Sequence, residues 1–149
     1  MSQVYTKSNY CPADNLGYLL KRCGTLIAMT VDRSLSEFGM THAQLGIFLR
    51  LVSGSAETAS DLARELMTDT GSMTRMLDRL EEKQFIERSR DGEDRRVVRV
   101  RLTTKGERLA DQMKGVAIAS LNQHLRGFSA GEITQLKDFL ERMIVNAEP

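Results

Sequence analysis

Between Thr70 and Arg79 the chain sets two kinds of side chain on opposite sides of one helical repeat. Met73, Met76, Leu77 and Leu80 recur at three- and four-residue spacing, the signature of a helix with one face against a core. Opposite them stand Ser72, Thr74, Arg75, Asp78 and Arg79. Guanidinium groups at these positions can pair in bidentate fashion with the O6 and N7 of guanine or with a phosphate. The hydroxyls of Thr70, Ser72 and Thr74 are short enough for phosphate oxygens or base edges. A basic hairpin follows, with a turn over Asp91-Gly92-Glu93-Asp94 at its tip. This chemistry suits recognition of a polyanion with ordered base edges, which is double-stranded DNA.

Strand-like runs flank that turn: Phe85-Ile86-Glu87-Arg88 before it and Val97-Val98-Arg99-Val100-Arg101-Leu102 after it. A hairpin therefore follows the amphipathic helix directly. Thr58-Ala59-Ser60-Asp61 opens a shorter helix upstream, expected over 61–67, and Asp69 or Thr70 caps the next. Helix, brief turn, polar-faced helix and basic hairpin, in that order, predict a winged helix-turn-helix. Charge alone is a weaker pointer: from Arg75 to Arg108 there are eleven Lys/Arg against eight Asp/Glu.

Long helices bracket this lobe. Asp14 or Asn15 caps a first helix bearing Leu16, Leu19, Leu20, Cys23, Leu26, Ile27, Val31, Leu35 and Phe38, ended by Gly39. Thr41-His42-Ala43-Gln44 is a capping box for a second, apolar on more than one side and ended by Gly54. Thr103 or Thr104, with Glu107, caps a long helix that Gly127 breaks, and Ser129-Ala130-Gly131-Glu132 is another capping box before the closing helix. The outer helices carry more apolar surface than a compact winged-helix core can cover, which predicts a symmetric homodimer. The fold class is thus mainly α with a small β-hairpin wing. One domain is expected over 1–149, with dimerisation helices at 14–38 and 104–147 and a DNA-binding lobe at 41–103.

The composition, 41% hydrophobic and 28% charged with a net charge of +1, excludes a histone-like polycation. Any basic surface must be local. Cys11 and Cys23 form neither a disulfide framework nor a metal-ligand spacing, and no apolar run is long enough for a membrane span. A cytoplasmic protein without metal or cofactor is expected. His42 and His124 have no Ser, Cys or carboxylate partner at catalytic spacing, and there is no glycine-rich phosphate loop, so no enzyme is predicted.

The segment Met73-Thr74-Arg75-Met76-Leu77-Asp78-Arg79-Leu80-Glu81 resembles the recognition helix of the MarR family of bacterial transcriptional regulators. Asp94-Arg95-Arg96 and Leu102-Thr103-Thr104-Lys105-Gly106 resemble the family's wing and the start of its next helix. Element order and length agree, so the resemblance spans nearly the whole chain. It implies an obligate homodimer on a pseudo-palindromic operator, usually a repressor released by a small phenolic or aromatic carboxylate, or by cysteine oxidation. Position by position, Arg75 and Arg79 match helix arginines that meet DNA, Arg96 the wing arginine of the minor groove, and Asp94 the acid that orients it. The family often has glycine where this chain has Gln84, so the turn there must accept a side chain.

By the same resemblance, an effector would lie between the lobe and the dimerisation helices, near Tyr18, Arg22, Met29, Met40, Thr41 and His42. Arg22 can pair with an aromatic carboxylate, and methionines supply a pliable apolar wall. Cys23, next to Arg22, offers an alternative as a thiol sensor, since a nearby cation lowers a thiol pKa. A further alternative is a protein-interaction module without DNA binding.

Overall fold

A computed structural model describes residues 4–90 and 97–147. The chain runs α1 (Leu16–Leu35), a single 3-10 turn (Ser36–Phe38), α2 (His42–Ser53), α3 (Ala59–Glu65), α4 (Thr70–Glu82), β1 (Ile86–Arg90), β2 (Val98–Leu102), α5 (Thr104–His124) and α6 (Ala130–Ala147). The winged helix-turn-helix order expected from the sequence is present.

Local chemistry sets most of the boundaries. The Asn15 side chain accepts from the Tyr18 N–H and starts α1. The Thr41–Gln44 capping box is complete in both directions, and Asp32 Oδ1 accepts from the His42 N–H at 2.6 Å, fixing the start of α2 to α1. Gly39 and Gly54 close their elements in the left-handed conformation. The Ser129–Glu132 box is also reciprocal, with Ser129 N–H donating to Glu132 at 2.8 Å and Glu132 N–H to Ser129 Oγ at 3.3 Å.

Several boundaries differ from the sequence reading: β1, read over 85–88, runs Ile86–Arg90, and β2, read from Val97, begins at Val98. The first helix gives way to the 3-10 turn after Leu35, three residues before Phe38. The short helix spans Ala59–Glu65 rather than 61–67, because Thr58 caps it through the Asp61 N–H and Met67 turns left-handed at φ 48°.

The core lies where α2, α3, α4, the hairpin and the first half of α5 meet. Phe48 and Ile47 from α2, Leu62 from α3, Met73, Leu77 and Leu80 from α4, Ile86, Val100 and Met113 are all essentially inaccessible. Phe48 meets Phe85 edge-on, with ring centroids 6.1 Å apart. Above the core the picture changes. In α6 no described residue is buried, and Leu136, Phe139, Met143 and Ile144 are exposed on it.

β1 and β2 pair antiparallel, Ile86 opposite Leu102 and Arg90 opposite Val98. The other edge of β2 is occupied too: Val100 N–H donates to the Glu57 carbonyl at 2.8 Å, and Thr58 bridges Arg99. The segment before α3 therefore acts as a third, one-bridge strand and ties the wing back to the helix-turn-helix.

The turn between α4 and β1 answers the question raised by Gln84, which stands at φ 60°. A side chain there costs on the order of 1 kcal/mol against glycine. Gln84→Gly is expected to raise stability by about 0.5 kcal/mol, since glycine's greater unfolded-state entropy returns part of the gain. Urea denaturation checks this, and a lower midpoint would show that the left-handed residue is not strained.

Candidate nucleic-acid interface

The proposed reading face is the outward side of α4. Asp69 sits just before the helix and its carboxylate accepts from the Ser72 N–H at 2.8 Å. Hydrogen bonding from Ser72 holds that carboxyl below the usual carboxylate range. With Met73, Leu77 and Leu80 locked in the core, the opposite residues have no choice of direction. Thr70, Thr74, Arg75, Asp78 and Arg79 are exposed and Ser72 half-buried.

Within that face Arg75 donates to Ser72 Oγ at 2.9 Å, and Thr74 Oγ1 donates to the Thr70 carbonyl at 2.8 Å. The first bond lays the Arg75 guanidinium along the helix toward its N-terminal end, the end at which a recognition helix approaches base edges. The Arg79 side chain has no hydrogen bond or ion pair among the described residues. Candidate residues Thr70, Ser72, Thr74, Arg75 and Arg79 are therefore gathered on one element. Asp94, Arg95 and Arg96, together with the expected turn over residues 91–94, lie outside the described residues.

One contact that sequence spacing did not reveal joins the reading helix to the wing. Arg88 of β1 donates through Nε to Glu81 at 2.9 Å, its backbone N–H reaches the same carboxylate at 3.2 Å, and its Nη2 pairs with Asp78 at 2.7 Å. The Arg88 hydrogen bonds depress the Glu81 pKa, and Glu81 in turn raises that of Arg88. A guanidinium shared by two carboxylates fixes orientation as well as distance. The wing's first strand is held against α4. A signal existed in the unlike charges at positions 81 and 88, but no helical or strand period connects them.

The candidate effector residues are more dispersed. Tyr18 and Arg22 are neighbours on α1, with Arg22 donating to the Tyr18 hydroxyl at 3.0 Å. Met29 is exposed further along α1, whereas Met40 is a core residue at 3% exposure. The Thr41 hydroxyl is engaged in the capping box, and His42 is exposed. The six fall on α1, on the segment before α2 and at its start rather than on one element. Cys23 and Cys11 are both exposed on the protomer. His124 meets Thr30 Oγ1 at 3.0 Å, linking α5 to α1. Among the described residues no group of His, Cys, Asp or Glu could hold a metal ion, and no helix is long and apolar enough to cross a membrane.

Comparison with known proteins decides what this scaffold is. Residues 40–98 match the model of the MarR family. The multiple antibiotic resistance protein MarR of Escherichia coli (strain K12) is 30% identical over 130 residues, covering 87% of this chain and 90% of that protein. The chain belongs to the MarR family. It is a MarR-family transcriptional regulator, and that family is not one of enzymes. Among solved structures, a single-residue mutant of E. coli MarR in complex with operator DNA superposes with a TM-score of 0.76 at 30% identity, over 86% of this chain and 92% of that one. CouR of Rhodococcus jostii RHA1, bound to p-coumaroyl-CoA, gives 0.79 at 23% identity, over 91% and 95%, and so shares the fold. The mainly helical MarR architecture with a two-stranded wing read from the sequence is the one observed.

Proposed function

We propose that this MarR-family regulator is a cytoplasmic homodimer that represses transcription by reading a pseudo-palindromic operator in double-stranded DNA, and that a small aromatic or phenolic carboxylate releases it. The observation that carries the reading is the α4 face. Two arginines and three hydroxyl residues share one outward side, and the Arg88 contacts to Glu81 and Asp78 keep the wing beside it. The operator complex of the 30%-identical E. coli MarR mutant supports the DNA partner. Arg75 and Arg79 would meet bases in the major groove, with Thr70, Ser72 and Thr74 on phosphates or base edges. From the sequence resemblance, Asp94, Arg95 and Arg96 would serve the wing, with Arg96 in the flanking minor groove.

The dimer rests on α6 and α1. An 18-residue helix with no buried side chain is marginal alone in water, and its exposed Leu136, Phe139 and Ile144 need cover. Residues 14–38 and 104–147 of two copies would supply it, leaving 41–103 as the lobe. For the effector, the CouR complex with p-coumaroyl-CoA supports an aromatic acid derivative as ligand on this fold. Arg22, backed by Tyr18, would receive a carboxylate, with Met29, Thr41 and His42 nearby.

The test is fluorescence anisotropy on the DNA upstream of the protein's own gene with excess nonspecific duplex, with and without a panel of aromatic acids. Tight binding relieved by one acid supports the whole reading. Release by a thiol oxidant alone would move the sensing role to Cys23. Failure to bind any duplex in a random-sequence selection would remove DNA from the function.

A further inference from the structure

At the far end of α2 from Thr41, a cavity of about 600 Å³ opens between the last turn of α2, strand β2 and the first turns of α5. That volume is in the range of small-molecule sites. Its floor is apolar, formed by Leu49 and Val52 of α2, Leu102 of β2 and Ala110 of α5. None of the six residues along α1 and the start of α2 assigned above to an effector lines it.

The rim is charged in both signs. Glu57 and Arg99 pair with each other at 2.8 Å on one lip. Glu107, Asp111 and Lys114 share one face of α5, at spacings of four and three residues, and Arg101 faces them from β2. Among the described residues none of these last four makes an ion pair or side-chain hydrogen bond. Two anions and two cations thus border one apolar floor without satisfying one another. A ligand with a single charge meets attraction from one pair and repulsion from the other. A ligand with both charges meets attraction from each, at no greater desolvation of its apolar body.

We propose that this corner is a binding site for a small zwitterionic amphipath, a flat apolar body carrying an ammonium and a carboxylate, with Lys114 and Arg101 receiving the anion and Asp111 and Glu107 the cation. Binding here needs no DNA. Its regulatory consequence rests on the DNA-reading function proposed above: β2 is the second wing strand, and any ligand that prefers one wing position changes DNA affinity by the factor that DNA changes its own.

The chain contains no tryptophan, so indole emission belongs wholly to an added probe. Three probes with one indole body separate the charges: tryptophan, tryptamine and indole-3-propionate, each titrated into the full-length protein without DNA. Tryptophan should bind at least about threefold tighter than either analogue. Lys114→Gln should bring tryptophan down to tryptamine, and Asp111→Asn should bring it down to indole-3-propionate. Val52 is 57% exposed on the cavity floor, so Val52→Phe sets a ring into the cavity without disturbing the core and should weaken binding of all three. Equal affinities for the three probes, unchanged binding in Val52→Phe, or no binding of any probe at roughly 10 mM would each overturn the proposal. Because DNA is absent, these results stand apart from any failure to find an operator.

Discussion

Gly106→Ala is expected to lower the melting temperature by on the order of 10 °C, the largest single-residue effect on stability that the fold offers outside its apolar core. Gly106 lies buried in the first turn of α5, where the Thr103 hydroxyl accepts from its N–H at 3.1 Å. A Cβ at this position would stand 2.0 Å from the Phe85 carbonyl oxygen and 3.0 Å from its carbon. That carbonyl is not free to retreat. It accepts from the Thr103 N–H at 3.1 Å, and Phe85 is anchored by a bond from its own N–H to the Leu80 carbonyl at 2.9 Å. Relief therefore requires moving α5 away from the α4–β1 turn, loosening Met113 and Leu109 along with it. Overpacking against fixed backbone belongs to the severe class, about 3–5 kcal/mol, a large share of the roughly 5–15 kcal/mol that holds a domain together. For a chain of this size each kcal/mol is worth roughly 2–4 °C. A melt by circular dichroism decides it, and a midpoint within about 2 °C of the parent would show that α5 has slack at this contact.

The second large effect concerns DNA. In the double variant Arg75→Ala/Arg79→Ala, affinity for the operator should fall by about two orders of magnitude at fixed salt, while affinity for a scrambled duplex falls far less. Each bidentate arginine–base pair is worth about 1–3 kcal/mol of discrimination, and both side chains are exposed, so their loss should leave the fold intact. Truncating Arg75 also frees Ser72 Oγ, which solvent can satisfy. Anisotropy on both duplexes across a salt series reads the outcome. A parallel loss on operator and scrambled DNA would reduce the two arginines to phosphate contacts. No loss on either would mean that α4 does not enter the groove. Arg75→Lys should lose most of the operator preference as well, since a point charge cannot replace a planar fork.

Features written in short-range chemistry were legible beforehand. The capping boxes at Thr41–Gln44 and Ser129–Glu132 satisfy backbone groups three residues away, so four letters of sequence contain all their partners. The α4 stripe is likewise complete within one helix, and Met73, Leu77 and Leu80 are buried as their period requires. What sequence did not disclose depends on chain closure. The Glu57–Val100 hydrogen bond joins positions far apart in the chain and adds a strand too short to show any alternation. The ties of Arg88 to Glu81 and Asp78 join a strand to a helix across a turn whose geometry neither element encodes. The cavity under β2 draws its lining from α2, β2, α5 and the segment before α3, and leaves no trace in any one of them. Met40 illustrates the converse: a flexible apolar side chain suits a ligand wall and a core equally, and only packing assigns it to the core.

The bare surface of α6 has a consequence for how much of this molecule exists at a given concentration. Eighteen residues without one fully buried side chain draw little of their helical order from packing on their own protomer. On the dimeric reading, forming α6 is a two-body event, and mass action enters the melting curve. Dilution would then unwind the closing helix before the helix-turn-helix lobe, whose core is complete within one chain. Two regulators with identical contacts to DNA could differ in the cell simply because one is scarcer, and repression would fade with copy number more steeply than occupancy of a monomer would.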